Sequence, residues 1–139
     1  MNDIQYQEKF PTPDEYNHIT NSVGWGTTKN EIIEIALNNS LYSICAYDGD
    51  KMIGYGRIIG DKTMFLYIQD IMVLPEYQSK KVGTHIMEKI LNKVEKLKTL
   101  NPDIRTYVGP SRGLEGFYEK FGFIAREEAD LGKGMILKI

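Results

Sequence analysis

The sequence predicts an α/β fold of the mixed α+β type, in which helices flank a central mixed sheet. Three observations support this: strand-like runs between residues 41 and 73 are joined by very short turns, an amphipathic run covers residues 81–97, and a short strand-like run follows it. Turns that short only join antiparallel neighbours, whereas a helical connection allows a parallel one. The predicted element order is β-α-α-β-β-β-α-β-α-β-β.

The N-terminal third begins with loose alternation over residues 4–9, which predicts a first strand. Thr12, followed by a proline and two acids, is typical of a helix start, and the helix should run to about residue 21. Thr28 is predicted to cap a second helix, because Glu31 stands three residues further on, as in a capping box.

The centre predicts a three-stranded meander followed by a long helix. Residues 41–47, 51–60 and 63–73 are the strands. The helix over residues 81–97 has a single apolar stripe, made by Val82, Ile86, Met87, Ile90, Leu91, Val94 and Leu97.

The C-terminal part predicts a fifth strand over residues 104–108, parallel to the strand that ends at Val73 because a helix connects the two. A helix over residues 111–121 should follow and end at Gly122. Residues 123–126 and 135–138 are predicted to form a final hairpin.

Composition indicates one domain over residues 1–139. With 42% hydrophobic and 26% charged residues, the chain can bury a core of its own. The net charge of −2 and a pI near 5.7 argue against nucleic acid or an anionic membrane as a partner. No apolar run approaches the ~20 residues of a membrane span, and we expect a soluble, cytoplasmic protein. The sequence leaves open whether the protein forms a homodimer.

The single cysteine and the two histidines exclude several kinds of site. Cys45 cannot form an internal disulfide, and its apolar surroundings predict a small buried side chain. His18 and His85 have no partner at a metal-ligand spacing, so we expect no metal, and we assign His85 to packing or surface.

The junction between the fourth strand and the long helix is the most informative segment. A helix N-terminus has backbone N–H groups without intrahelical partners and a partial positive charge, so it suits a phosphate group. Basic residues add to that charge here. The loop consists of Gln78, Ser79, Lys80, Lys81, Val82, Gly83 and Thr84.

This loop resembles the acyl-CoA signature of the GNAT superfamily of acetyl-CoA-dependent N-acetyltransferases. That signature is Gln or Arg, two residues, Gly, one residue, then Gly or Ala; Gln78 and Gly83 match it, and Lys81 replaces the first glycine. A second motif, Phe-Tyr-Glu-Lys-Phe-Gly-Phe at residues 117–123, is similar to the family's later helix and the turn after it. The resemblance extends over nearly the whole chain.

The resemblance implies that acetyl-CoA is the co-substrate. It implies a bulge in the fourth strand, a splay between strands four and five, and a pantetheine arm lying in that gap. The Val73 region would then donate an N–H to the thioester oxygen, although its side chains also fill a core. The implied cofactor-binding residues are Ile71, Met72, Val73, the loop residues 78–84, Ser111 and Tyr118.

Two residues are candidates for the chemistry. Tyr118 matches a family tyrosine that donates a proton to the departing thiolate, although a tyrosine at that place can also simply pack on the sheet. Asp70 is the leading candidate for the general base, because it is an isolated charge inside the apolar run FLYIQDIMV. A salt-bridged aspartate with a structural role is the alternative. Glu31 and Glu34 are weaker candidates.

The remaining candidates each leave two interpretations open. Ser111 stands where relatives contact the cofactor arm, and it could equally cap a helix. Lys81 costs of order 1–2 kcal/mol if its position needs a positive φ, yet its charge would lie near two phosphates, so we expect binding with an altered loop path. Trp25, between two glycines, would either line an acceptor site with Glu34 or plug the core.

The sequence therefore predicts an enzyme that acetylates a small primary amine. A non-catalytic acyl-CoA sensor of the same fold is the alternative, since Lys81 departs from the signature. A Rossmann or P-loop enzyme is disfavoured: the Gly54-Tyr55-Gly56 segment lacks a third glycine at the required spacing, and no phosphate-binding P-loop sequence occurs.

Overall fold

A computed structural model of the chain describes residues 3–138. Its five strands form one sheet in the order in which they occur along the chain. The first four are antiparallel neighbours, and the fifth lies parallel beside the fourth, which confirms the predicted mixed sheet. The strands are β1 (Ile4–Glu8), β2 (Tyr42–Asp48), β3 (Lys51–Gly60), β4 (Phe65–Val73) and β5 (Arg105–Val108).

Four α-helices accompany the sheet. Two 3-10 turns, Pro75–Tyr77 and Arg126–Ala129, lie in the connections. By its internal contacts the chain divides into a larger unit, which ends at Tyr107, and a smaller one, which begins at Val108. The helices are α1 (Pro13–Ser22), α2 (Asn30–Asn38), α3 (Val82–Leu97) and α4 (Glu115–Glu119).

Helix α3 packs against one face of the sheet at two glycines of β3. A Cβ atom on Gly54 would lie 2.9 Å from Ile86 Cδ1, and one on Gly56 would lie 2.9 Å from Ile90 Cδ1. Both distances are too short for a real side chain. The Gly-Tyr-Gly sequence therefore lets a helix approach a strand closely, and the apolar stripe of α3 is buried as predicted, except for Leu91, which is half-buried.

Helices α1 and α2 begin differently from one another. Thr12 caps α1 as predicted, and its capping box with Glu15 is complete. The prediction that Thr28 caps α2 is wrong, because α2 starts at Asn30 after Lys29, which makes no side-chain cap. Instead, the Asn17 side chain accepts from the Thr28 N–H (2.9 Å) and donates to the Thr28 carbonyl (2.8 Å), which holds Thr28 outside the helix.

The smaller unit departs most from the prediction. Its helix spans only Glu115–Glu119, because Gly113 has φ 86°, a value that an α-helix cannot contain. Ser111 is therefore not a helix cap. Gly122, with φ 94°, lies just after the helix as predicted.

The predicted C-terminal hairpin is also wrong, so residues 3–138 form fewer strands than expected. Residues 123–125 and 131–138 have no regular secondary structure. The side chains of Met135, Ile136 and Leu137 are 96%, 87% and 88% exposed. An apolar run becomes a strand only where another strand pairs with its backbone, and the sequence alone does not identify that partner.

Candidate active site

A β-bulge interrupts β4 near its C-terminal end, as the resemblance implied. Between Gln69 and Met72 the pairing with β3 slips by one residue, so that Asp70 and Ile71 face the single residue Gly56. Asp70 has φ 60°, in the left-handed region that non-glycine residues rarely adopt. Bulges of this kind are common beside active sites, because they redirect backbone groups.

The segment after the bulge leads directly into the signature loop. Met72 and Val73 have buried side chains, so any contact with a ligand at these positions falls to their backbone groups. The Gln78 amide donates to the Val73 carbonyl at 3.0 Å and ties the loop to the end of the strand. Leu74 continues the pairing, and its N–H donates to the Ile53 carbonyl at 2.9 Å.

Helix α3 begins at the end of this loop without a side-chain cap. Lys81, the residue before the helix, has φ 62° and ψ 19°, the left-handed conformation that the motif's glycine would adopt without strain. The lysine thus accepts a strain of order 1 kcal/mol and keeps the helix N-terminus open to an anion. Its side chain and that of Lys80 are exposed, so both charges can reach a phosphate.

The other loop residues differ in exposure. Ser79 is exposed, Gly83 and Thr84 are half-buried at the first turn of α3, and Val82 is buried in the core. The Lys80 ammonium lies 5.2 Å from the centre of the Tyr77 ring, which holds this cation beside the loop. Val82 therefore anchors the loop, while its neighbours remain accessible to a ligand.

Asp70 is buried in a polar network rather than left free. The Arg57 Nε donates to Asp70 Oδ2 at 2.8 Å, and the Tyr16 hydroxyl donates to the same oxygen at 2.7 Å. The Gln69 amide donates to the other oxygen, Oδ1, at 3.2 Å. Burial, followed by the charge of Asp70, raises the pKa of the Tyr16 phenol well above its ordinary value, so this group remains a donor. These contacts support the structural alternative for Asp70.

Sequence reasoning did not identify Arg57 and Tyr16. A signal for Arg57 was present, because after the initial Lys51 it is the one cation in the apolar strand KMIGYGRIIG, just as Asp70 is a lone anion in the next strand. Opposite charges in adjacent antiparallel strands predict a pair. Tyr16, which lies 54 residues from its partner, gave no comparable signal.

Tyr118 lies in the smaller unit, on α4, and it is buried with 7% exposure. Its ring meets the ring of Phe117 edge-to-face at 5.0 Å between centroids, and that of Phe123 at 6.1 Å. Within this unit the aromatic motif thus forms a packed cluster around the tyrosine. Ser111 is exposed, and its carbonyl accepts from the Leu114 N–H at 3.0 Å.

The acceptor-side candidates lie on the larger unit. Trp25 is 49% exposed, so it does not plug the core. The Trp25 backbone N–H donates to the Thr20 carbonyl at 2.8 Å, while Gly24 and Gly26 have φ 89° and 78°. The loop therefore presents an indole to solvent from a defined turn. Glu34 lies on the exposed side of α2.

The last site predictions concern His85 and a bound metal. His85 is exposed and lies edge-to-face with Tyr6, at 5.8 Å between ring centroids, which agrees with packing at the surface. Among residues 3–138, no group of three or more His, Cys, Asp or Glu side chains is arranged to hold a metal ion. Over the same residues, no helix is long and apolar enough to cross a membrane.

Comparison with known families gives a direct result. Residues 16–137 match the family described as the Acetyltransferase (GNAT) domain. Because this match covers most of the sequence, the chain belongs to the GNAT acetyltransferase family.

Solved structures agree with this assignment. A Staphylococcus aureus protein of unknown function, SA2161, described as a probable acetyltransferase, superposes with a TM-score of 0.87 at 29% identity, over 98% of this chain and 99% of the other. The GNAT family protein SP0256 from Streptococcus pneumoniae gives 0.81 at 28% identity, over 98% of each chain.

A curated relative is longer than this chain. An uncharacterized N-acetyltransferase, ycf52-like, from Prochlorococcus marinus is 27% identical over 113 residues, which is 78% of this chain and 61% of the relative. The chain thus spans about three-fifths of that relative's length.

Proposed function

We propose that the chain, acting as one GNAT-type domain, transfers an acetyl group from acetyl-CoA to a primary amine of a small molecule by direct attack on the thioester. The observation that carries this proposal is the path from the bulge of β4, through the Gln78-anchored loop, to the uncapped N-terminus of α3. Two stretches of backbone along that path are proposed to bind the co-substrate.

The first stretch is at the helix. The opening turn of α3 offers N–H groups and the positive end of the helix dipole to a diphosphate. Lys80 and Lys81 add two exposed positive charges beside that turn. Binding should therefore weaken as salt concentration rises, because exposed charges are screened.

The second stretch is on the strand. Past the bulge, backbone groups of Ile71, Met72 and Val73 would pair with the peptide-like pantetheine arm, as a further strand does at a sheet edge. When bound, acetyl-CoA supplies the activated acetyl group. An N–H near Val73 would then donate to the thioester oxygen, where negative charge develops during attack.

We assign proton donation to the departing thiolate to Tyr118, on the strength of its motif. Its burial in an aromatic cluster fixes the side chain in one orientation, which a proton donor needs. For the acceptor, we propose that Trp25 forms an aromatic wall, because its ring is exposed on an ordered loop, and that Glu34 attracts the cationic amine.

A non-catalytic acyl-CoA sensor is the second candidate, and Lys81 is the observation that favours it. A strained residue at the phosphate loop is compatible with a fold that holds its ligand without turnover. Incubation with acetyl-CoA and a panel of amines, with release of free thiol as the readout, separates the two. Saturable, amine-dependent release supports the enzyme, whereas tight CoA binding without such release supports the sensor.

The Tyr118→Phe variant tests the assigned proton donor. We expect kcat to fall about 100-fold, because general acid catalysis typically contributes 10²–10⁴, while affinity for CoA stays unchanged. Tyr67→Phe, which alters an exposed tyrosine on β4, serves as the control. Unchanged turnover in Tyr118→Phe would remove this residue from the mechanism.

A further inference from the structure

Three elements of the larger unit meet at one buried carboxylate, and Arg57 joins the end of a fourth element to it. Asp70 on β4 accepts from Arg57 on β3 and from Tyr16 on α1, at 2.8 and 2.7 Å. The Arg57 guanidinium also donates through Nη1 to the Ala36 carbonyl, in the last turn of α2, at 3.3 Å and to Ser40 Oγ, just after that helix, at 3.1 Å. Tyr16, Arg57 and Asp70 are called the Asp70 clamp below.

The clamp holds a strained position. Asp70 is only 6% exposed, and its φ of 60° is uncommon for a residue with a side chain. Buried polar groups are paired in native proteins, and here both carboxylate oxygens accept hydrogen bonds. The side-chain contacts therefore oppose a return of the backbone to an ordinary strand conformation.

We propose that the Asp70 clamp positions the bulge of β4, and with it the backbone of Ile71, Met72 and Val73. This inference rests on the proposed function, in which that backbone meets the acetyl-bearing arm. Asp70 is thus a positioning residue, and Arg57 and Tyr16 act through it.

The same geometry disfavours Asp70 as the general base. Its carboxylate is the counter-charge of Arg57, whose side chain is only 12% exposed, so the pair has a structural role. A base also needs an oxygen that a substrate can reach, whereas both oxygens of Asp70 already accept protein donors.

The clamp also links the two sides of the proposed site. Arg57 donates to the Ala36 carbonyl in the last turn of α2, which also accepts from the Asn39 N–H and the Ser40 hydroxyl, both at 3.2 Å. Helix α2 carries the acceptor candidate Glu34. Loosening the clamp should therefore change KM for the amine as well as KM for acetyl-CoA.

Hydrogen exchange tests the clamp without any ligand. Tyr16→Phe removes one donor to Asp70, and the matched control Tyr47→Phe removes a similar hydroxyl-to-carboxylate bond, to Glu15 at 2.9 Å. We expect exchange across residues 69–74 to quicken several-fold in Tyr16→Phe and to stay at the wild-type rate in Tyr47→Phe. Equal exchange in the wild type and both variants would overturn the proposal.

Kinetics separate positioning from base catalysis. Asn retains an acceptor oxygen and tolerates a left-handed backbone, whereas Ala provides neither. We expect Asp70→Asn to keep kcat within about tenfold and Asp70→Ala to raise KM for acetyl-CoA more than about tenfold. A loss in Asp70→Asn on the scale of base catalysis, about 100-fold or more in kcat with KM unchanged, would overturn the positioning role.

The experiments distinguish failure of the proposed function from failure of the clamp proposal. If the wild-type protein binds no CoA, the proposed function fails, while the exchange comparison still decides whether Tyr16 and Asp70 hold the bulge. If the wild type binds CoA and neither exchange nor KM responds to the variants, the clamp fails and the proposed function stands.

Discussion

Two non-glycine residues of the proposed site share almost the same left-handed backbone, Asp70 with φ 60° and Lys81 with φ 62°. Their surroundings differ completely. Asp70 is buried and accepts hydrogen bonds from three side chains, whereas Lys81 is exposed and makes no side-chain cap on α3. The first strain is offset by side-chain contacts, and the second is not. The same backbone strain can therefore occur in a rigid scaffold, as at Asp70, or in an exposed loop that is proposed to bind a ligand, as at Lys81.

The largest expected effect comes from breaking the buried pair. Arg57→Met leaves the Asp70 carboxylate buried without its counter-charge, which typically costs about 3–5 kcal/mol. Because the hydrogen bond from Tyr16 is retained, we expect a loss of about 3 kcal/mol. Urea denaturation measures the change in the free energy of unfolding. Lys98→Met, which breaks an exposed pair with Glu95, is the control and should cost less than about 1 kcal/mol. Similar losses of unfolding free energy in both variants would contradict a stronger role for the buried pair than for the exposed one.

A smaller effect is expected where the bulge meets its neighbours. In Gly56→Ala the new Cβ would lie 2.7 Å from Ile71 Cδ1, and overpacking of this kind costs about 1–3 kcal/mol. Gly116→Ala, on α4, has no atom within 4 Å of the new Cβ and should gain about 0.5–1 kcal/mol instead. Thermal or urea unfolding gives both values. A neutral Gly56→Ala would show that β4 and α3 can separate at the bulge.

The smallest effect concerns the loop. Lys81→Gly should raise the free energy of unfolding by about 1 kcal/mol, because glycine adopts φ 62° without a clash. The matched change Lys80→Gly, at a neighbouring lysine without a positive φ, should lower it by a few tenths. A CoA titration of both variants then shows what the charges contribute. A large gain in affinity for Lys81→Gly would mean that the lysine impairs the site.

Sequence reasoning predicted the parts of the fold that local pattern determines. The meander β2–β4, helix α3 and the loop between them follow from alternation, short turns and one apolar stripe, and the structure confirms them. Burial of Cys45, whose exposure is 0%, is confirmed as well. The elements themselves depend on patterns of residues close in sequence.

Several features set by distant partners were not predicted. The C-terminal hairpin was expected from apolar residues alone, although a strand also needs a partner for its backbone. The Thr28 cap failed because Asn17, on another helix, holds that backbone. Tyr16 joins Asp70 across 54 residues, a contact that only the assembled sheet and helix create.

The most direct test of the account is calorimetric titration of the wild-type chain with CoA and with acetyl-CoA. A diphosphate held at the start of α3 and an arm paired with β4 predict saturable heat at one site per chain, weaker at high salt. No heat at ligand concentrations far above the micromolar range would contradict the claim that this loop binds the co-substrate.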